Sequence, residues 1–116
     1  MREIKAYIRR DKIEDVINAV MAAGVTGLTV TDVCGLGGAA TEEKQWSIEY
    51  CKKYSSVTKL EIVCHNKEEA AIVEVIRARA WTGHRGDGMI FIAPISGAVR
   101  IRTGDRGEAA LKNTEV

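Results

Sequence analysis

Residues 57–91 read VTKLEIVCHNKEEAAIVEVIRARAWTGHRGDGMIF. The stretch moves from a strand pattern to a helix pattern, then through a glycine turn into a second strand. In residues 57–64, Leu60, Ile62 and Cys64 fall on one face and Lys59, Glu61 and Val63 on the other, the period of a half-buried strand. Asn66 and Glu69 make a capping pattern. Ile72, Val75, Ile76 and Ala80 then form the apolar stripe of a helix. Residues 82–91 place Gly83, Gly86 and Gly88 around one acid, Asp87, with His84 and Arg85 inside the turn. Met89–Ala93 is the next strand, stopped by Pro94.

The N-terminal third carries the same order. Ile4, Ala6 and Ile8 alternate with Lys5, Tyr7 and Arg9, a strand with one buried face. Asp11 and Glu14 make a capping pattern, followed by Ile13, Val16, Ile17 and Val20 at helical spacing and by Gly24 as a stop. Residues 28–33 are rich in Thr and Val and read as a strand. Residues 34–54 show no sustained period and read as a long excursion, of the kind that is functional or disordered within a compact domain. Residues 99–102 read as a short fifth strand, with Arg100 and Arg102 on one face, and the chain after Gly104 reads as a polar, mobile tail. Two strand–helix–strand units, the second after a long loop, predict an α/β (α+β) ferredoxin-like βαββαβ sandwich with an antiparallel sheet.

Bulk properties narrow the function. The chain has 116 residues, one domain's worth, and a formal net charge of +1, so no global field steers it to nucleic acid or membrane. Its three cysteines, Cys34, Cys51 and Cys64, lack zinc-ligand spacing and read as reduced thiols of a cytoplasmic protein. The N-terminus has no apolar leader, and no run approaches membrane-spanning length. Glycines let backbone N–H groups approach an anion closely, and the neighbouring Arg100-Ile101-Arg102-Thr103-Gly104 supplies two guanidiniums. Together these two motifs favour a phosphate site over a hairpin beside a solvated charge pair.

These residues resemble the PII signal-transduction family. Thr82-Gly83-x-x-Gly86-Asp87-Gly88-x-Ile90-Phe91 is similar to its B-loop (residues 82–89). Arg100-Ile101-Arg102-Thr103-Gly104 is similar to its C-loop (residues 99–116). Residues 25–31 and Gly35-x-Gly37 resemble the strand entering its T-loop (about residues 36–55). The resemblance implies a single domain over residues 1–116 and a homotrimer that binds ATP, ADP or AMP in clefts between subunits. It also implies that the T-loop docks on a target protein, such as a membrane transporter, with no nucleic-acid partner and no membrane insertion. Carried over by position, Thr29, Gly35, Gly37 and Val63 would line the adenosine. Gly86, Asp87, Gly88, Arg100 and Arg102 would hold the phosphates, with Asp87 shaping the turn rather than touching phosphate. His84 and Arg85 are further candidates for phosphate contact.

The chain departs from the family pattern at defined places. Gly38 and Ala39 replace an Arg-Gln pair that reaches the terminal phosphate, magnesium and oxoglutarate. Met89 replaces the lysine after the GDG triplet, and Val57 replaces the oxoglutarate lysine. Arg10-Asp11 replaces Pro-Phe. Tyr50 aligns with the modifiable tyrosine, within the altered context Trp46-Ser47-Ile48-Glu49-Tyr50. These changes describe a divergent subgroup that keeps the nucleotide cleft but has altered its second input, magnesium included, and its output.

Other readings fit the residues less well. An acylphosphatase-like phosphohydrolase needs an asparagine placed to activate water, but Asn18 lies in a helix pattern, Asn66 reads as a cap and Asn113 is in the tail. An RNA-binding module of this topology needs aromatics on its first and third strands, where Tyr7 stands alone. A metal-tolerance-type trimer would want clustered ligands, whereas Cys and His are scattered here. No catalytic or metal-binding set is therefore assigned. Trp46 reads as a docking anchor or as a residue packed on its own trimer, Trp81 as core or else as a nucleotide contact, and Cys51 as an inert surface thiol.

Overall fold

The computed structural model describes residues 1–36 and 47–111. Strand β1 (Arg2–Arg9) leads through a 3-10 turn, Arg10–Lys12, into α1 (Ile13–Ala22) and then β2 (Thr29–Val33). Helix α2 (Ile48–Tyr54) precedes β3 (Val57–Cys64), α3 (Glu69–Ala80) and β4 (Gly88–Pro94). The four strands form one sheet in the order β2-β3-β1-β4. Every neighbouring pair is antiparallel. Each strand–helix–strand unit thus straddles a strand of the other, which is the ferredoxin-like arrangement.

Period-2 alternation places the core. Ile4, Ala6 and Ile8 of β1 and Leu60, Ile62 and Cys64 of β3 are buried. They meet Val16 and Val20 of α1 and Ile72, Ile76 and Ala80 of α3 in one cluster. Helix α1 stops where Gly24 adopts φ 102°. There Gly24 N–H donates to the Met21 carbonyl at 3.0 Å and Val25 N–H to the Val20 carbonyl at 3.1 Å, a pair of bonds that satisfies two orphan carbonyls.

Several expectations need correction. Asp11 does not cap α1: it lies within the 3-10 turn, and Lys12 is the N-cap, with no side-chain cap bond. The second capping box sits one residue earlier than Asn66/Glu69. It pairs His65 with Glu68, whose carboxylate accepts His65 N–H at 3.1 Å. The end of the long excursion is helical, with Ser47 Oγ accepting Tyr50 N–H at 3.1 Å as its cap. The fifth strand does not form. Val99 makes one bridge to Arg106, and Gly104 N–H returns to the Arg100 carbonyl at 2.8 Å, so residues 100–105 form a tight turn. Residues 101–103 are taken up by the turn, so no ladder extends inward from the bridge. The segment beyond Gly104 is not all tail: Gly107–Leu111 is a 3-10 turn that buries Ala110.

Candidate functional site

The glycine turn between α3 and β4 is built around one carboxylate. Asp87 Oδ2 accepts Thr82 N–H at 2.8 Å and Gly83 N–H at 2.9 Å, and Oδ1 accepts the Thr82 hydroxyl. The same hydroxyl oxygen accepts His84 N–H at 3.2 Å. Arg9, at the end of β1, closes the structure from outside. Its Nε donates to Asp87 Oδ1 at 3.1 Å and its Nη2 to the Arg85 carbonyl at 2.6 Å. Asp87 is therefore the turn's internal staple. The N–H groups of Thr82, Gly83 and His84 point inward, so backbone donors to a ligand in this loop must come from beyond His84.

Two glycines are required by their surroundings. Gly88 has φ 109°, and a Cβ there would fall inside the Tyr7 carbonyl of β1. Gly86 has φ 93°, and a Cβ would crowd Arg9 Nη2 at 3.3 Å. The chain can thus pass close to β1 only without side chains at these points.

The Thr82 hydroxyl bond is the main cause holding the Asp87 carboxyl well below the usual carboxylate range. The Thr82 and Gly83 N–H groups and Arg9 act in the same direction, while partial burial opposes them. A depressed folded-state value stabilises the fold at pH values above the ordinary carboxylate pKa. That stabilisation fades as pH drops below about 4 and is lost as the folded group protonates. Asp87→Asn is therefore expected to melt below wild type at pH 7, with the gap narrowing as the pH falls below about 4. Parallel melts from neutral to acid pH check this; a gap that stays constant would dissociate the carboxylate's charge from the turn.

A cleft with a cavity volume of about 540 Å³ opens beside this turn. Gly35, Gly86 and Gly88 line it together with Tyr7, Leu36 and Phe91. So do Met89 and Val57, which occupy two positions where the resemblance expects lysines. A Cβ on Gly35 would meet Val57 Cγ2 at 3.3 Å, so the small residue keeps this wall thin. Tyr7 and Phe91 pack edge to face, with ring centroids 5.9 Å apart.

The remaining candidates lie elsewhere. Val63 lines a smaller cavity of about 250 Å³ with Thr26, Gly27, His65 and Leu111. Thr29 is exposed on β2, opposite Glu61. Arg100 Nη2 donates to the Ala110 carbonyl at 2.8 Å. Glu108 of the same C-terminal turn holds His65 Nδ1 at 2.7 Å. Arg100 is thus tied to the turn that lies at the Cys64 end of β3, whereas Gly35 and Gly86 lie at its Val57 end. Val57 and Val63 are six residues apart on β3, or roughly 20 Å at a strand's rise of about 3.3 Å per residue. Arg100 and Arg102 do not line the larger cleft; Arg100 precedes a turn and Arg102 lies within it, so they do not share a strand face.

Other residues also sit differently from expectation. Trp81 is not core: it is 65% exposed and lies against the turn, its ring 3.0 Å from where a Gly83 Cβ would be. Cys51 is buried within α2 instead of exposed. Tyr50 is half-buried on α2, its ring 4.6 Å from that of Tyr54. Gly37, Gly38, Ala39 and Trp46 lie outside the described residues. His84 and Arg85 are exposed on the turn. Arg9 was missed by the sequence reading, because a strand-end arginine carries no local sign of a partner 78 residues away. Among the described residues, no helix is long and apolar enough to cross a membrane, and no group of three His, Cys, Asp or Glu residues is placed to hold a metal ion.

Comparison with known proteins agrees with this architecture. The family model described as nitrogen regulatory protein P-II matches residues 1–105. Nitrogen regulatory protein P-II 1 of Methanothermobacter thermautotrophicus is 41% identical over 112 residues, covering 96% of this chain and 97% of its own length. The P-II protein of Cyanidium caldarium is 39% identical, covering 90% of this chain and 93% of its own. The crystal structure of Arabidopsis thaliana PII bound to citrate superposes with a TM-score of 0.79 at 33% identity, covering 99% of this chain and 93% of that one. The chain belongs to the nitrogen regulatory protein P-II family of signal-transduction proteins.

Proposed function

We propose that this protein is a nucleotide-sensing regulator that holds ATP, ADP or AMP in clefts between the subunits of a homotrimer. It signals to a partner protein, such as a membrane transporter, through residues 36–55, in the cytoplasm and without catalysis of its own. Residues 1–116 act as one domain. The observation that carries this reading is the separation of the candidate residues. The B-loop glycines and Gly35 stand at one end of β3, and Val63 with the arginine-bearing turn stands at the other. No single small ligand reaches both groups on one chain at roughly 20 Å. Two chains set side by side can join the B-loop end of one to the C-loop end of the next.

Surface chemistry supports the same assembly. β4 is an edge strand, and its Met89, Phe91 and Ile92 are 59%, 53% and 44% exposed. An apolar edge of this kind invites cover. In the assembled cleft, Gly86 and Gly88 let the backbone approach the phosphates, and Arg100 and Arg102 offer fork-shaped donors. Asp87 holds the loop without meeting the ligand. Thr29, Gly35, Gly37 and Val63 line the nucleoside side, and His84 and Arg85 stand at the rim as further phosphate donors. The Arabidopsis relative was solved with citrate, a polyanion, and an anion-accepting cleft here is consistent with that. Met89 and Val57 make the cleft wall apolar where a lysine would reach a distal phosphate or a dicarboxylate. Magnesium would accompany ATP with fewer protein partners to hold it, and an oxoglutarate response should be weak. Sedimentation velocity at micromolar concentration tests the assembly: a trimer is expected, and a stable monomer would leave the cleft incomplete.

A further inference from the structure

The chain entering the T-loop and the helix closing it are joined at their base by a set of short contacts. Cys34 directly follows β2, and Cys51 lies within α2. Ser55 Oγ donates to the Val33 carbonyl at 3.1 Å and accepts Gly35 N–H at 3.4 Å. Cys51 Sγ donates to the Gly35 carbonyl at 3.6 Å. The backbone on both sides of Cys34 is therefore fixed against the segment that carries Cys51. The Cys51 thiol thus bonds to the carbonyl of the residue that directly follows Cys34. Cys34 is exposed and Cys51 is buried, and both are free. Cys64 is also free and buried, but it sits at the far end of β3.

We propose that Cys34 and Cys51 are a dithiol that a hydroperoxide oxidises to an intramolecular disulfide, locking together the two ends of the T-loop. Exposure makes Cys34 the thiol that meets the oxidant. Its thiolate attacks the terminal peroxide oxygen, the O–O bond breaks, and the alcohol or water leaves with the proton, giving Cys34 sulfenic acid. The Cys51 sulfur then displaces that hydroxyl as water and forms the S–S bond. Two thiols and one hydroperoxide thus become one disulfide, one alcohol (or water) and one water, with two electrons passing from sulfur to the peroxide. The neighbouring Cys51 thiol raises the Cys34 thiol's pKa, which makes this a slow pair that answers sustained oxidant and not a fast peroxide scavenger. The buried partner, held against the backbone that flanks Cys34, outcompetes a thiol on another molecule.

The test uses the full-length chain, reduced and then treated with hydrogen peroxide, followed by thiol alkylation under denaturing conditions and intact-mass analysis. The expected product is a monomeric chain, lighter by two hydrogens, in which only Cys64 of the three cysteines takes the alkylating agent. Peptide mapping without reductant should join the Cys34 and Cys51 peptides, and dithiothreitol should restore both thiols. Cys34→Ser, at an exposed position, should leave the melting temperature unchanged and abolish the loss of the Cys51 thiol. The proposal is overturned if Cys34 ends as a sulfinic acid or in a disulfide between chains while Cys51 remains alkylatable.

Discussion

Gly88→Ala is expected to destabilise the fold by about 3 kcal/mol, the upper end of the range for overpacking against atoms that cannot move. The new methyl would enter the Tyr7 carbonyl. Tyr7 cannot retreat, because β1 is bonded on both sides, to β3 through Tyr7↔Lys59 and to β4 through Tyr7↔Met89. Gly88 itself is held by its pairing with Ile8, and its φ of 109° is a region that side-chain-bearing residues avoid. The strain falls where β4 joins the sheet, so the B-loop should lose its anchor together with the strand. Gly24→Ala is the matched control. It shares a positive φ but has nothing within 4 Å of the new methyl, so only the conformational cost of about 1 kcal/mol is expected. Urea denaturation of the three proteins separates the two effects. A Gly88→Ala protein within 1 kcal/mol of the control would mean that the close approach to Tyr7 relaxes freely.

Arg100→Ala and Arg102→Ala are each expected to weaken adenine-nucleotide binding by about 1.5–3 kcal/mol, the range for a hydrogen bond to a charged partner. That corresponds to roughly a 10- to 150-fold rise in the dissociation constant. The loss of affinity should exceed any loss of ligand-free stability. Arg102 stands in an exposed turn, and a ligand-free melt of its Ala variant measures what its removal costs the fold. Arg100 also donates to the Ala110 carbonyl, so its loss should loosen the C-terminal turn modestly as well. Melting curves without nucleotide, beside titrations with it, keep the two contributions apart. Unchanged affinity in both variants would remove the C-loop from the site.

The sheet and its core were legible because burial on one face leaves a period-2 trace that nothing else in the chain imitates. β3 matched its expected bounds, since Leu60, Ile62 and Cys64 alternate with Lys59, Glu61 and Val63 to its last residue. Helix α2 was not legible: seven residues give fewer than two turns of apolar period. Its actual marks were local ones, Ser47 as cap, Glu49 in the first turn and Lys52 and Lys53 in the last. The fifth strand failed because alternation of Val99 and Ile101 says nothing about whether a partner strand is within reach. Trp81 misled for a related reason: an aromatic residue after a helix has the composition of core, yet Ala80 is the last buried position and the chain turns outward there. The glycine turn around Asp87 was plain in sequence, whereas the Arg9 clamp and the approach of Cys51 to the backbone beside Cys34 are properties of chain return that no local pattern encodes.

The most direct test of the nucleotide cleft is a calorimetric titration of the protein with ATP, ADP and AMP at fixed magnesium. One nucleotide should bind per chain, with ADP and AMP comparable to ATP, because Gly38, Ala39 and Met89 supply no charged donor to a third phosphate. The ATP preference over ADP should stay within about tenfold, a gap of about 1.4 kcal/mol. A larger ATP preference would show that His84, Arg85 or another group replaces the missing donors. Absence of binding by all three nucleotides would contradict the cleft itself.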